Sequence, residues 1–357
     1  MFANVQALRA CAAMLVVFEH LGKSNGIEAH YFVSQTPLLA AFGEAGRFGI
    51  DLFFSISGFI MICTTWNSFG HAGASRKFLL RRCIRIYPAY WLVLVPLTIV
   101  FFLAPERLTQ FHAVRTDLVA SFLLLPQAGQ PLLAVAWTLV YEMFFYLIFS
   151  TLLAFDRRFL PWAIVAWFIV EIALCVGLKY QTNAYLAFLG NPYAIDFIYG
   201  IGVGYLHVTG RLKAPYPLVA GLAILCVGLA SFGFHFGEMW SSHRVIFFGI
   251  PAAGLLALTV TLEVRRGLRA PRWLIALGDA SFALYLWHLP VLNALAQVVG
   301  KVHPHGALIH IVLVVLMLVF IVTFARAVFA FAERPLTVFI NDVLVSRERR
   351  RAVASAA

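Results

Sequence analysis

Residues 136–155 read AWTLVYEMFFYLIFSTLLAF, twenty positions with one formal charge, Glu142. At about 1.5 Å of rise per residue such a helix spans about 30 Å, the depth of a bilayer's hydrocarbon core. Its apolar residues form a solid run and do not alternate, which selects a helix over a barrel strand. Working outward, runs of the same kind lie at roughly 5–22, 47–65, 87–104, 161–178, 193–209, 216–234, 245–262, 274–299 and 308–331. An all-α polytopic membrane protein with about ten transmembrane helices is the expectation. The apolar piece at 117–126 is too short to span and ends at Pro126, so it reads as re-entrant or interfacial.

Composition agrees. The 357 residues are 62% hydrophobic and only 12% charged, about half the charge of a soluble domain. The mean hydropathy of +0.88 excludes disorder, fibrous repeats and an ordinary soluble enzyme. Five cysteines show no pairable or metal-binding spacing. The net charge of +11 does not point to nucleic acid, because no soluble segment is long enough to hold a binding domain. Membrane lipids or an anionic cytosolic ligand suit it better. Residues 10–18 resemble a signal-peptide core, but Phe18-Glu19-His20 offers no small-residue cleavage site, so the segment is kept as a helix.

Basic residues set the expected orientation. With the N-terminus inside and 117–126 not counted as a span, eighteen of the 27 Lys and Arg fall on cytoplasmic segments and seven on outer ones. Both termini are therefore expected in the cytoplasm. The plasma membrane, the inner one of a bacterium, is the expected location. One transmembrane domain over 1–339 is followed by a short basic tail over 340–357.

Ionisable residues inside spans are costly and usually have a reason to be there. Arg9 and His20 sit eleven residues apart on the first helix, nearly on one face and about 16 Å apart. The simple alternative is that Arg9 snorkels to the inner interface and His20 sits at the outer one. In RFGIDLFFSISGF, Asp51 lies a turn inside the second span, where it either caps the helix or acts within the membrane. Ser57 and Gly58 follow, and Gly58 also suits close helix packing. Glu142 lies among Tyr141, Met143, Phe144 and Phe145, either as a functional carboxylate or as the partner of a helix-bound cation. His288 precedes Pro290, which is expected to kink or break its helix.

By depth, His20, Asp51, Glu142 and His288 form a candidate constellation of two imidazoles and two carboxylates, able to supply a general base and its orienting group. Arg82 and Arg85, three apart, share a face if their segment is helical. They suit phosphate recognition, or serve topology alone. No metal site is expected: His303 and His305 in HPHGALIH sit in a Pro-Gly loop without carboxylate or cysteine. In FAERP, a local Glu333–Arg334 pair with Pro335 ending the helix is expected.

Six segments in order, VQALRACAAMLVVFEH, RFGIDLFFSISGFIM, FLLRRCIRIYP, WTLVYEMFFY, LGDASFALYLWHLPV and FAERP, resemble the acyltransferase-3 family of integral membrane O-acyltransferases, in its exopolysaccharide-modifying type. The resemblance covers nearly the whole chain. It implies transfer of an acyl group, acetyl above all, from cytosolic acyl-CoA to a hydroxyl of an extracytoplasmic polysaccharide or lipid-linked sugar. The donor is a substrate, with no permanently bound cofactor. Carried over by motif, His20 is the catalytic residue of an Arg9–His20 pair, and Arg82 and Arg85 contact the donor's phosphates. Ser57 and Gly58 line the donor path, and Glu142 belongs to the acceptor or catalytic region. The family's optional C-terminal esterase-like domain is not expected here. The rival class is a transporter or exporter of glycan intermediates using the buried His and carboxylates as a proton relay. The sequence shows no inverted repeat in its favour.

Overall fold

In lipid a backbone must satisfy its own hydrogen bonds, and apolar runs of about twenty residues do so as helices. The computed structural model describes residues 2–22, 45–105, 116–178, 181–212, 244–301 and 307–344, with isolated positions 27, 39, 43 and 108. Among the described residues, nine helices are long and apolar enough to cross a membrane. In chain order the helices are α1 (Ala3–Gly22), α2 (Phe48–Thr65), α3 (Ala74–Leu103), α4 (Leu118–Leu123), α5 (Trp137–Leu153) and α6 (Leu160–Gly177). They continue with α7 (Ala184–Leu189), α8 (Tyr193–Val208), α9 (Ile250–Arg266), α10 (Arg272–Asp279), α11 (Ser281–Gly300) and α12 (Ala307–Val328). The chain is an all-α polytopic membrane protein. The expected span at 216–234 lies outside the described residues, as do His303 and His305.

Burial ranks the helices. Within their spanning windows α1 is 72% and α2 67% buried, against 22% for α6. Small residues explain the centre: α1 buries Ala7, Ala10, Ala12 and Ala13, which let neighbours approach closely. At the periphery, Trp162, Ile169 and Val176 of α6 and Leu316 and Phe320 of α12 are exposed, an apolar surface suited to lipid. The first turn of α1 is tied down by Glu263 of α9. Its two carboxylate oxygens accept from the Ala3 and Asn4 amides at 2.8 Å each, satisfying donors that a helix start leaves orphaned.

Among the described residues, helices α2 and α8 make the most extensive pair, backbone against backbone. A methyl group on Gly58 would overlap the Phe197 carbonyl oxygen, and one on Gly200 the Ser55 carbonyl oxygen. Gly200→Ala should therefore force the helices apart and cost about 1–3 kcal/mol, read as a lower melting temperature in detergent. Gly202, with nothing within 4 Å of its would-be Cβ, is the control whose alanine variant should melt no lower than wild type.

The structure departs from expectation in several places. Helix α3 begins at Ala74, thirteen residues before the predicted start, so Arg76, Lys77, Arg81, Arg82 and Arg85 are helical and α3 carries Pro88 and Pro96 inside it. The expected span 274–299 divides at Ala280 into α10 and α11. There Gly278 lies against the Gln6 carbonyl, and Asp279 accepts from Gln6 Nε2 at 2.7 Å, so α1 engages the break. Pro290 does not break α11, which runs through it to Gly300. Pro335 does not end the last helix either. A wide π turn at Phe329–Glu333 precedes it, relieving the clash a proline ring makes with the carbonyl four residues back, and helix continues to Leu344, into the expected tail.

The short segment at 117–126 forms the six-residue α4, capped by Asp117, and Leu124 is left-handed at φ 54°. A two-turn helix leaves carbonyls unpaired. Three α3 side chains take them: Tyr90 donates to Ser121 at 2.7 Å, Trp91 to Phe122 at 3.1 Å and Tyr87 to Leu123 at 3.0 Å.

Candidate active site

The early start of α3 carries Arg82 and Arg85 onto one helical face, toward α1, α2 and α5. There a cavity is lined by Arg9 of α1, Ser57 of α2, Arg82 and Arg85 of α3, and Glu142 and Tyr146 of α5. Its remaining wall is largely apolar and aromatic, with Thr138 and Tyr285 at one edge. Glu142 accepts from Ser57 Oγ at 3.1 Å and from the Tyr146 hydroxyl. Arg82 lies over the Phe78 and Tyr146 rings at 5.2 and 5.3 Å. Arg9 donates to Gln6 Oε1 at 3.1 Å. Glu333, placed by the π turn, interacts electrostatically with Arg85 and Arg9, so its charge partners lie across the fold beyond the neighbouring Arg334. Three guanidinium groups and one lining carboxylate in an apolar, preformed pocket favour an anionic ligand with an extended apolar part.

His20 and His288 form a second, adjacent centre. Their rings meet edge-on with centroids 5.0 Å apart, and His288 Nε2 is 3.4 Å from His20 Nδ1. His20 Nδ1 also lies 2.9 Å from the Val16 carbonyl and His288 Nδ1 2.6 Å from that of Tyr285. A carbonyl oxygen only accepts, so each Nδ1 carries the hydrogen. That assignment gives His288 Nε2 a lone pair facing His20, and puts the remaining lone pair of the His20 ring on Nε2. His288 is fully buried and His20 half-buried.

The expected four-residue constellation thus divides. Only His288 joins His20. Glu142 belongs with the arginines, where Ser57 and Tyr146 hold it. Asp51 is fully buried elsewhere: both its oxygens engage the Arg244 guanidinium, through Nε at 3.0 Å and through Nη2. Arg244 also donates to the Arg47 carbonyl at 2.8 Å and lies over the Tyr193 and Phe248 rings. Gly58 faces α8 and is not among the cavity's lining residues, whereas its neighbour Ser57 is.

Residues 2–327 match the family model described as an acyltransferase domain. The chain belongs to the acyltransferase-3 family. It is similar to the exopolysaccharide production protein ExoZ of Rhizobium meliloti, 29% identical over 266 residues, which covers 71% of this chain and 78% of that protein. It is also similar to the peptidoglycan O-acetyltransferase OatA of Listeria monocytogenes, 25% identical over 346 residues, covering 85% of this chain and 51% of that one. No solved structure matches.

Within this acyltransferase-3 domain the sequence reading passed over several residues that complete the sites. Tyr146 follows Glu142 by four residues, a helical neighbour spacing that signals a pair. Tyr285 precedes His288 by three. Thr138 bonds Tyr285 across α5 and α11, a contact no linear spacing announces. Arg244 is one of the seven outer-segment charges of the expected topology, yet it is fully buried and faces Asp51. Glu333 was legible as a motif residue, but its reach to Arg85 and Arg9 depends on the π turn.

Proposed function

We propose that this membrane acyltransferase transfers an acyl group, acetyl above all, from acyl-CoA to a hydroxyl of an extracytoplasmic polysaccharide or lipid-linked sugar. The observation that carries the reading is the cavity itself, which gathers Arg9, Arg82 and Arg85 in an apolar pocket and ends beside the His20–His288 pair. The names of the relatives, an exopolysaccharide production protein and a peptidoglycan O-acetyltransferase, support a glycan acceptor. The charge bias of the loops supports a cytoplasmic donor side and a plasma-membrane location.

In this reading Arg82 and Arg85 bind the phosphates of CoA and the pantetheine arm lies along the apolar wall. Glu142, held by Ser57 and Tyr146, keeps the arginines oriented. His20 Nε2 takes the proton of the acceptor hydroxyl as its oxygen attacks the thioester carbonyl. The C–S bond breaks, the sulfur leaves as thiolate and is protonated, and the products are an O-acyl ester and free CoA. Backbone-anchored His288 holds the His20 ring as charge develops on it.

Stabilisation of the purified protein by CoA tests the donor. CoA should raise the melting temperature of the wild type. Arg82→Ala and Arg85→Ala should each raise the apparent KM for acetyl-CoA by about ten- to a hundred-fold, the worth of a charge-assisted hydrogen bond, with little change in kcat. An unchanged KM in both would discard phosphate docking at this pair. A sugar exporter would not be stabilised by CoA at all.

A further inference from the structure

The arginine cavity and the histidine pair are neighbours, but neither His20 nor His288 lines the cavity. What stands between them is Tyr285. Its side chain lines the cavity while its backbone carbonyl accepts from His288 Nδ1 at 2.6 Å, and its ring centroid lies 5.9 Å from that of His288. The ring is held in place. Its hydroxyl is 2.6 Å from Thr138 Oγ1 and donates to the Val135 carbonyl at 2.8 Å, and Phe53 packs against it edge-on at 5.8 Å. Thr138 lines the same cavity edge with its Oγ1 3.0 Å from the Val135 carbonyl, so the two hydroxyl hydrogens are shared among three oxygens.

We propose that Tyr285, latched to Thr138 and Val135, is the partition that separates a docked acyl thioester from the His20–His288 pair and sets which acyl groups pass. The inference rests on the donor reading above. A tyrosine ring is a rigid plate turning about two torsions, and its hydroxyl bonds fix it across the gap between α11 and α5. With the latch closed, the thioester stays on the arginine side and the histidines stay on the other. Opening it requires the hydroxyl to leave two buried partners, Thr138 Oγ1 and the Val135 carbonyl. That cost is met when binding of the right donor and acceptor favours the open arrangement, and is not met by water alone. The backbone bond to His288 ties the same turn of α11 to the catalytic pair. Tyr285 is thus a positioning and specificity residue, not one that exchanges a proton.

The consequence is leakage when the latch is weakened. Thr138→Val removes one partner of the Tyr285 hydroxyl and leaves Val135; Tyr285→Phe removes both and keeps the ring. In the absence of glycan, water then replaces the acceptor hydroxyl: His20 takes its proton, the C–S bond breaks, and acetate and CoA thiol form. Thiol release from acetyl-CoA without acceptor should rise by about fivefold in Thr138→Val and further in Tyr285→Phe. Tyr285→Phe should also accept butyryl-CoA in the same thiol-release assay, with a butyryl-to-acetyl ratio at least several-fold above wild type. CoA should still raise the melting temperature of both variants, showing that the folded donor site is intact.

Thiol release at the wild-type level in both variants, with CoA stabilisation retained, overturns the partition. Equal release in the two, or an unchanged butyryl ratio, overturns the graded latch. If CoA fails to stabilise even the wild type, the donor reading falls first and this one with it.

Discussion

His20→Ala is expected to lower acylation of surface glycan by about 10²–10⁴-fold, the range a positioned general base supplies, while CoA still stabilises the protein. The split follows from geometry. Arg82, Arg85 and Arg9 line the arginine cavity, whereas His20 is not among its lining residues and reaches the Tyr285 wall through His288. Alanine at position 20 therefore removes the lone pair on Nε2 without touching the guanidinium groups. His288→Ala should be milder, about tenfold to a hundredfold. In the proposed mechanism His288 supports the His20 ring, through edge-on packing and a 3.4 Å contact, without carrying the transferred proton. Mass spectrometry of glycans from cells expressing each variant, alongside thermal melts with CoA, measures both. Near wild-type acylation by His20→Ala would sink the assignment. Loss of CoA stabilisation in that variant would show that the two sites are one.

Much of this was legible before any coordinates. Spans read by hydropathy alone recur as α1, α2, α5, α6, α8 and α9 to within a few residues at most ends, because a bilayer imposes one length and one backbone solution. Prolines misled. Pro290 and Pro335 each sit inside helix, since packed neighbours and a π turn absorb what a proline would break in isolation. Depth along a span was readable; facing was not. His20, Asp51 and Glu142 were placed together by depth, yet α1, α2 and α5 turn them toward three different partners: His288, Arg244, and the Ser57–Tyr146 pair. Arg82 and Arg85 came out as a pair because spacing on a single helix needs no knowledge of the neighbours. Tyr285 and Thr138 lie 147 positions apart in the chain, so their meeting belongs to tertiary packing alone.

Arg244→Met is expected to cost about 3–5 kcal/mol of stability, the price of leaving a buried charge without its partner. Asp51 is 0% exposed and both of its oxygens face Arg244, so no water replaces the guanidinium. Asp196 of α8 is also fully buried and lies within electrostatic range of both Asp51 and Arg244. Asp51→Asn should cost nearly as much, because it takes the counter-charge from a buried Arg244 whose Arg47 carbonyl bond and contacts with the rings of Tyr193 and Phe248 are neutral. The double variant Asp51→Asn with Arg244→Met should recover much of the loss, since a neutral pair of similar volume carries no stranded charge. The sign of that coupling decides between two roles. If the pair exists to pin α2 against the start of the π turn Val245–Gly249 that leads into α9, melting temperatures follow the non-additive pattern while folded protein keeps its acylation rate per molecule. If the double variant melts near wild type but acylates poorly, the ion pair serves the reaction as well as the fold. Additive losses in the double variant would contradict the direct pairing that the geometry shows.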